Sequence, residues 1–242
     1  MEFDNSTISF SESDLNKNLV LPRIMDSALA EEIGLHVGDG SMNFYRNKNK
    51  TKGLYQLRGH SIDDKLHYYT RIKFLYKYLY NLDVSLRYMP STGVIGFQVW
   101  SDALVQFKHK VLGLCLGKKT DIMIPKEIFA DEELSKSFLR GFYDTDGCLY
   151  APKRYGKFYP RVEISSVSKL LMYQIKLLLQ NMGFKFSFYS DNREKYGWND
   201  LYRIQIRGIY MAKKWFSEIR PANPKHLIKF LSVVENNGLD QT

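Results

Sequence analysis

The chain has 242 residues, of which 44% are hydrophobic, so it is long enough to form one large domain or two small ones. Its formal net charge of +9 arises from basic residues spread along the whole length, which favours a folded polyanion-binding surface over a disordered basic arm. The spacing of its cysteines and histidines argues against a disulfide framework or structural zinc, and the lack of a signal sequence or long apolar stretch predicts an intracellular protein, cytoplasmic or organellar.

The first 116 residues divide into an extension and a first structural half. Residues 1–26 are rich in Ser, Asn and Asp and show only weak periodicity, so they are interpreted as an N-terminal extension. In residues 27–116, helical and strand periodicities alternate. The predicted elements there are a helix ending at Gly40, strands at 41–46 and 54–60, a helix at 63–81, strands at 84–89 and 94–101, and a helix at 102–114.

The same order of elements recurs in the rest of the chain. Residues 117–131 contain Pro125, a pair of lysines and several acidic residues, and they are interpreted as a linker. The elements predicted for residues 132–242 are a helix at 132–145, strands at 148–151 and 160–166, a helix at 169–182, strands at 184–190 and 200–207, and helices at 209–219 and 224–236. Two halves that share one topology are the simplest interpretation of this recurrence.

The recurrence extends to a heptapeptide. Residues 34–40 (GLHVGDG) resemble residues 141–147 (GFYDTDG) at an offset of 107 residues. Within each copy, two small residues lie four positions apart and therefore share one helix face. Two such faces can approach closely, backbone against backbone.

The two copies predict a metal-dependent site. If the helices pack in parallel, Asp39 and Asp146 emerge side by side at their carboxyl ends, and Gly40 and Gly147 are placed to end the helices. Two close carboxylates at the negative ends of helix dipoles repel each other, so the arrangement calls for a cation. Oxygen ligands favour Mg²⁺ or a similar ion such as Mn²⁺. Such an ion can activate water against a phosphodiester, so we expect this basic protein to hydrolyse nucleic acid.

At these residues the chain resembles the LAGLIDADG homing endonucleases, over nearly its entire length. The family motif matches Glu32 to Gly40 loosely and Leu139 to Gly147 well. The resemblance implies an α+β fold of two pseudo-symmetric αββαββα halves, with the motif helices at the shared interface and a saddle of antiparallel β-strands facing DNA. It also implies site-specific cleavage of double-stranded DNA at a long, asymmetric site. Two motifs in one chain make dimerisation unnecessary, so a monomer is expected.

The resemblance assigns metal binding to the eighth motif position, which is Asp39 in the first copy and Asp146 in the second. Their neighbours Gly38 and Thr145 are expected to lie at the same metal site. The first copy departs from the family pattern, for example at Glu32, where leucine is usual. Both copies keep the acidic residue, so we expect this chain to cleave DNA.

In the family, a lysine just after the last helix of a half often lies near the reacting water. Lys119 and Lys225 occupy comparable places and are predicted to assist catalysis, with Lys118 as a substitute. Contact with phosphates alone is an equally good interpretation of these lysines. Ser61 and Ser166, at strand-to-helix junctions, could join a solvent network or cap helices.

Alternation along the predicted strands is an independent argument for DNA binding. In residues 202–207 the polar residues share one face while Ile204 and Ile206 share the other, so one face is core and one is available for recognition. Arg and Gln on antiparallel ribbons suit bidentate contacts with guanine and adenine. The predicted DNA-binding residues are Gln56, Arg58, Arg87, Gln98, Arg154, Arg161, Lys185, Arg203, Gln205 and Arg207.

A non-catalytic nucleic-acid binder on the same scaffold is the main alternative. It would be an RNA maturase that binds intron RNA during splicing, or a transcription regulator, but the two aspartates favour cleavage. An intron-borne origin is slightly favoured over an intein, because no splicing-domain residues flank the motifs. Asp144, turned about 200° from Asp146 on the helix, is interpreted as a structural carboxylate or one that supports its neighbour.

Overall fold

The fold was analysed in a computed structural model that describes residues 2–47, 50–155 and 157–236. The α-helices are α1 (Glu12–Asn16), α2 (Ser27–Asp39), α3 (Lys65–His67), α4 (Lys73–Tyr80), α5 (Asp102–Gln106), α6 (Glu132–Asp146), α7 (Lys169–Asn181), α8 (Ile209–Glu218) and α9 (Pro224–Asn236). The strands are β1 (Gly40–Asn47), β2 (Lys50–His60), β3 (Arg87–Met89), β4 (Val94–Trp100), β5 (Gly147–Tyr150), β6 (Lys153–Arg154), β7 (Lys157–Phe158), β8 (Arg161–Ser166), β9 (Ser187–Asp191) and β10 (Leu201–Arg207). π-helical turns at Tyr68–Ile72 and Phe107–Val111 join α3 to α4 and extend α5.

The described strands form two four-stranded antiparallel sheets of identical topology. The first has the order β1-β2-β4-β3, and the second has the order β5-β8-β10-β9. In each sheet the first two strands in sequence pair with each other and the fourth strand lies between the second and the third. A small additional hairpin, β6-β7, stands apart from the second sheet. The predicted mixture of helices with two antiparallel sheets is confirmed.

The motif helices α2 and α6 pack against each other along their small residues. A Cβ added to Gly34 would clash with Phe138 O and lie 2.7 Å from Phe142 N. A Cβ added to Gly141 would clash with Glu31 O and lie 2.9 Å from Leu35 N. Because these neighbours are backbone atoms, the close approach of the two helices depends on glycine at both positions.

Glu32, the departure from the family motif, is explained by a buried ionic network. Its carboxylate accepts hydrogen bonds from Lys108 Nζ at 2.6 Å and from Tyr80 Oη at 3.0 Å, and both Glu32 and Lys108 are fully buried. Tyr55 and Tyr76 also donate to this carboxylate. Since each buried charge is paired and hydrogen-bonded, an acidic residue can occupy a position that is usually apolar.

The structure corrects several element boundaries. β3 begins at Arg87 instead of 84, and β9 begins at Ser187 instead of 184. In both cases the preceding alternation comes from irregular chain whose apolar side chains Val84 and Phe184 pack into the core. The hairpin β6-β7 was not predicted. Within the described residues, no helix is both long and apolar enough to span a membrane.

The N-terminal extension also contains a helix that was not predicted. α1 begins with a capping box in which Ser11 and Asp14 bond each other's backbone N–H groups. The carboxylate of Asp14 is buried and accepts a hydrogen bond from Ala103 N at 3.2 Å, at the start of α5. The extension is therefore anchored to the helices behind the first sheet.

Candidate active site and nucleic-acid interface

Gly40 and Gly147 end the two motif helices, in a conformation that the sequence did not indicate. Both have extended backbones, with φ −76° at Gly40 and φ −93° at Gly147, so neither helix ends in the left-handed conformation common for glycine. Glycine is required at both positions because a side chain would not fit. A Cβ on Gly40 would lie 2.7 Å from His36 O, and one on Gly147 would lie 2.6 Å from Tyr143 Cε2.

Asp39 and Asp146 lie close together at these helix ends. A Cβ added to Gly38 of α2 would lie 3.4 Å from Asp146 Oδ2 of α6, so the second carboxylate reaches across the end of the first helix. The pKa of Asp39 is raised from 3.8 to about 7, mainly by burial and to a smaller extent by the charges of Asp146 and Asp64. Burial raises the pKa of Asp146 from 3.8 to about 6. The pair is thus costly to ionise without a compensating cation.

Lys119 lies at the carboxyl end of α2. Its ammonium donates to Val37 O at 2.9 Å, to His36 O at 3.3 Å and also to Gly38 O. Burial lowers its pKa, although Asp146 and Asp39 act in the opposite direction. Lys118 is exposed. Of the adjacent Lys118 and Lys119, Lys119 is therefore the one whose charge acts on Asp39 and Asp146.

Lys225 lies on the other side of the site and binds a residue that sequence reasoning missed. Its Nζ lies 2.7 Å from Oδ1 of Asp64, at the start of α3. Asn223, which is fully buried, donates to the same Oδ1 at 2.7 Å. Burial alone would raise the pKa of Asp64, but Lys225, His60 N–H and Asn223 outweigh it and lower that pKa. The signal in the sequence was only an acidic residue at the junction equivalent to that of α7.

The carboxylates of Asp39 and Asp146 suit a metal ion whose remaining ligands are waters and the phosphates of a substrate. Within the described part of the chain, no three His, Cys, Asp or Glu side chains are grouped so that they could hold a metal alone. Two carboxylates are nevertheless suitable ligands for Mg²⁺, which is commonly bound by one or two carboxylates together with waters and phosphates. Gly38 O accepts a hydrogen bond from the Lys119 ammonium, and the Thr145 hydroxyl donates a hydrogen bond to Phe142 O at 2.9 Å. Their metal-binding role stays a prediction.

Asp144 faces away from the carboxylate pair. Burial raises its pKa from 3.8 to about 8, and its Oδ2 accepts Ala222 N at 2.9 Å. It therefore holds the chain that leads into α9. Neither Ser61 nor Ser166 is a helix cap, because the N-cap positions belong to Asp64 and Ser168.

The first sheet presents polar side chains in two cross-strand rows. Gln56 lies opposite Gln98, and Arg58 and Arg87 both lie opposite Gly96 of β4. Tyr55 and Leu57, which alternate with Gln56 and Arg58, are fully buried. The predicted alternation therefore holds on β2. A Cβ added to Gly96 would clash with Leu57 O and lie 2.9 Å from Arg58 Cα, so glycine is required beside Arg58. Arg58 and Arg87 are both exposed on this face.

The second sheet has a polar face that is largely paired internally. Glu163 on β8 accepts Gln205 Nε2 at 2.8 Å and Arg203 Nη1 at 3.1 Å. Arg203 also forms an ion pair with Asp191 at 2.7 Å, and Gln205 is almost fully buried. Base recognition by Gln205 or Arg203 would require these bonds to be exchanged. Both roles stay predictions.

The remaining predicted DNA-binding residues occupy varied positions. Arg161 and Arg207 are directly opposite each other on β8 and β10. Lys185 is exposed but precedes β9 and is not part of the sheet. The side chain of Arg154 lies outside the described residues.

Comparison with known proteins identifies a family signal in the second half. Residues 133–220 match the family model described as a LAGLIDADG-like domain. In sequence, the chain is 28% identical over 200 residues to an A-type ATP synthase protein of Pyrococcus abyssi. That alignment covers 81% of this chain but only 17% of the relative.

Solved structures show the fold. A structure of mesophilic variants of the homing endonuclease I-DmoI matches with a TM-score of 0.57 and 18% identity, covering 80% of this chain and 94% of that chain. I-DmoI in complex with DNA and Mn matches with a TM-score of 0.53 and 17% identity, covering 89% and 98%. The LAGLIDADG meganuclease I-AabMI bound to uncleaved DNA matches with a TM-score of 0.55 and 14% identity, covering 88% and 93%.

Proposed function

We propose that this chain, which has the fold of the LAGLIDADG homing endonucleases, is a site-specific endonuclease that hydrolyses double-stranded DNA. The observation that carries the proposal is the buried pair Asp39 and Asp146 at the adjoining ends of two packed helices, each with a raised pKa. In this proposal residues 27–116 and 132–242 act as the two halves of one monomer, joined by 117–131 after the extension 1–26.

Each side chain of the site has a proposed role. Asp39 and Asp146 would supply carboxylate ligands to a divalent cation, Mg²⁺ or Mn²⁺. When bound, such an ion activates water and neutralises charge on the leaving 3′ oxygen. Lys119 and Lys225 bring positive charge to the same place, and the lowered pKa of Lys119 makes its ammonium a better proton donor. The two sheets contact the duplex on either side of this centre.

Cleavage of a randomised duplex library tests the proposal. The purified protein is incubated with the library in Mg²⁺, and cut molecules are captured and sequenced, with a parallel incubation in EDTA. A single enriched, asymmetric sequence that is cut in Mg²⁺ and intact in EDTA is the expected result. Tight, metal-independent binding to DNA or structured RNA without cutting would instead support a maturase or a regulator.

The exposed arginines of the first sheet give a second test. Replacing Arg58 or Arg87 by Ala is expected to weaken binding of the selected site about tenfold or more, because a bidentate contact to a base contributes roughly 1–3 kcal/mol. Binding of a scrambled duplex should change less. Affinities are measured at several salt concentrations, with Lys73→Ala on the exposed face of α4 as the control for loss of one positive charge. Equal weakening on both duplexes would reassign the arginine to phosphate contact.

A further inference from the structure

The two active-site lysines are held in different ways. Lys119 donates to three carbonyl groups at the end of its own motif helix, α2. In the second half, the group that donates to a carbonyl near the end of α6 is the amide of Asn223, whose Nδ2 lies 3.1 Å from Asp144 O. Lys225 instead extends to Asp64, which belongs to the first half. The pseudo-symmetry of the fold is therefore broken at the lysines.

Asp64 is fixed by several donors from both halves. Its Oδ2 accepts His60 N at 2.7 Å, while its Oδ1 accepts Asn223 Nδ2 and Lys225 Nζ, each at 2.7 Å. Only 8% of its side chain is exposed. A Cβ added to Gly59 would lie 2.8 Å from Oδ2, so a glycine opposite it leaves the space that the carboxylate fills. The carboxylate thus has one position available to it.

Lys225 can bind a second anion while it remains bonded to Asp64. A lysine ammonium has three N–H donors, of which the bond to Asp64 uses one. The side chain of Lys225 is 27% exposed, so the remaining donors have access to solvent or to a phosphate. A flexible lysine that is already held by a carboxylate loses less conformational freedom when it meets a substrate.

We propose that Asp64 is a positioning residue that holds Lys225 for cleavage of one DNA strand, whereas Lys119 serves the other strand independently of Asp64. The inference rests on the proposed endonuclease function. The scissile phosphates of a duplex lie on different strands, and the two lysines are held by different groups, Lys119 by the end of α2 and Lys225 by Asp64. A bond made by only one of the lysines therefore acts on only one strand.

Strand-resolved nicking tests this inference. The selected duplex is labelled differently on each strand, and single-turnover rates are measured for wild type, Asp64→Asn, Lys225→Met and Lys119→Met. Asp64→Asn is expected to slow one strand by ~10- to 100-fold, because small misplacements of a catalytic group cost rate steeply. Lys225→Met should slow cleavage of the same strand as Asp64→Asn. Lys119→Met should slow cleavage of the other strand. For Asp64→Asn, the Kd for the duplex in Ca²⁺ should stay within about twofold of the wild-type value, since only the positioning bond to Lys225 is lost.

Matched variants separate positioning from stability. Asp63→Asn removes the neighbouring carboxylate, which is 61% exposed, and should cleave like wild type. Asp64→Glu keeps the charge but displaces it, and it should slow the same strand even if Asp64→Asn fails to fold. Equal slowing of both strands, or wild-type rates in Asp64→Glu and Asp64→Asn, would overturn the inference. A wild-type protein that cuts neither strand would overturn the endonuclease proposal itself.

Discussion

Replacing Asp39 by Asn is expected to abolish cleavage and, in metal-free buffer above pH 7, to raise the melting temperature. Asparagine keeps the shape of the side chain but cannot hold the cation as a charged ligand, so a loss of at least ~10³-fold in cleavage rate, about 4 kcal/mol of barrier, is expected. The same change removes a buried charge from the neighbourhood of Asp146 and Asp64, whose charges help to raise the pKa of Asp39. Activity and stability should therefore move in opposite directions.

The pH dependence of this stabilisation follows from the pKa of Asp39. The carboxyl titrates near 3.8 in the unfolded chain and at about 7 in the fold, so the native state retains the proton longer. The contribution of this carboxyl to the stability of the metal-free protein is therefore fully present below pH 4 and declines as pH rises to 7. The rise of the Asp39 pKa from 3.8 to about 7 corresponds to ~4 kcal/mol in total. The difference in melting temperature between the variant and wild type should grow from pH 5 to pH 8.

Thermal melts with and without Mg²⁺ check both halves of this prediction. Magnesium should stabilise the wild type at pH 8 more than at pH 5, and it should have little effect on Asp39→Asn, because linkage requires binding to the folded state. Asp83→Asn is a suitable control, since the side chain of Asp83 is 79% exposed and pairs with Lys77, which is not part of the site. A variant that is less stable than wild type at pH 8 in EDTA would contradict the electrostatic account of this site.

The sequence predicted the two sheets and the paired aspartates because both depend on local, repeated signals. Alternation assigns a strand and its two faces, and a repeated heptapeptide places two equivalent helices together. Glu32 was a departure from the motif without a visible reason. Its partner Lys108 is 76 residues away, and only the fold brings the two together.

Contacts between the halves account for what the sequence missed. Asp64 and Asn223 are separated by 159 residues, so no local pattern could pair them. Alternation also could not show that Gln205 and Arg203 on β10 are engaged by Glu163 on β8, because periodicity identifies a polar face without identifying its partners. The helix-ending glycines were predicted by position, but the steric reason for them emerged only from the packing around His36 and Tyr143.

Replacing Gly141 by Ala is expected to separate the two motif helices and destabilise the whole fold. The added methyl group would overlap Glu31 O and lie 2.9 Å from Leu35 N, and neither backbone atom can rotate away. Overpacking usually costs about 1–3 kcal/mol, and we expect a larger value here because two backbones must move apart. The carboxylate pair is assembled by the same contact, so the response of the melting temperature to Mg²⁺ should fall as well.

Chemical denaturation measures this effect against a matched glycine. Gly197→Ala introduces the same methyl group at φ +68°, where no atom lies within 4 Å of the new Cβ, so it reports the backbone cost of about 1–2 kcal/mol alone. Gly141 lies within a helix, where alanine is intrinsically favoured by roughly 1 kcal/mol, so any destabilisation there must come from the helix contact. A Gly141→Ala protein at least as stable as wild type would show that α2 and α6 can move apart freely. The position of Asp39 beside Asp146 would then need another cause than helix packing.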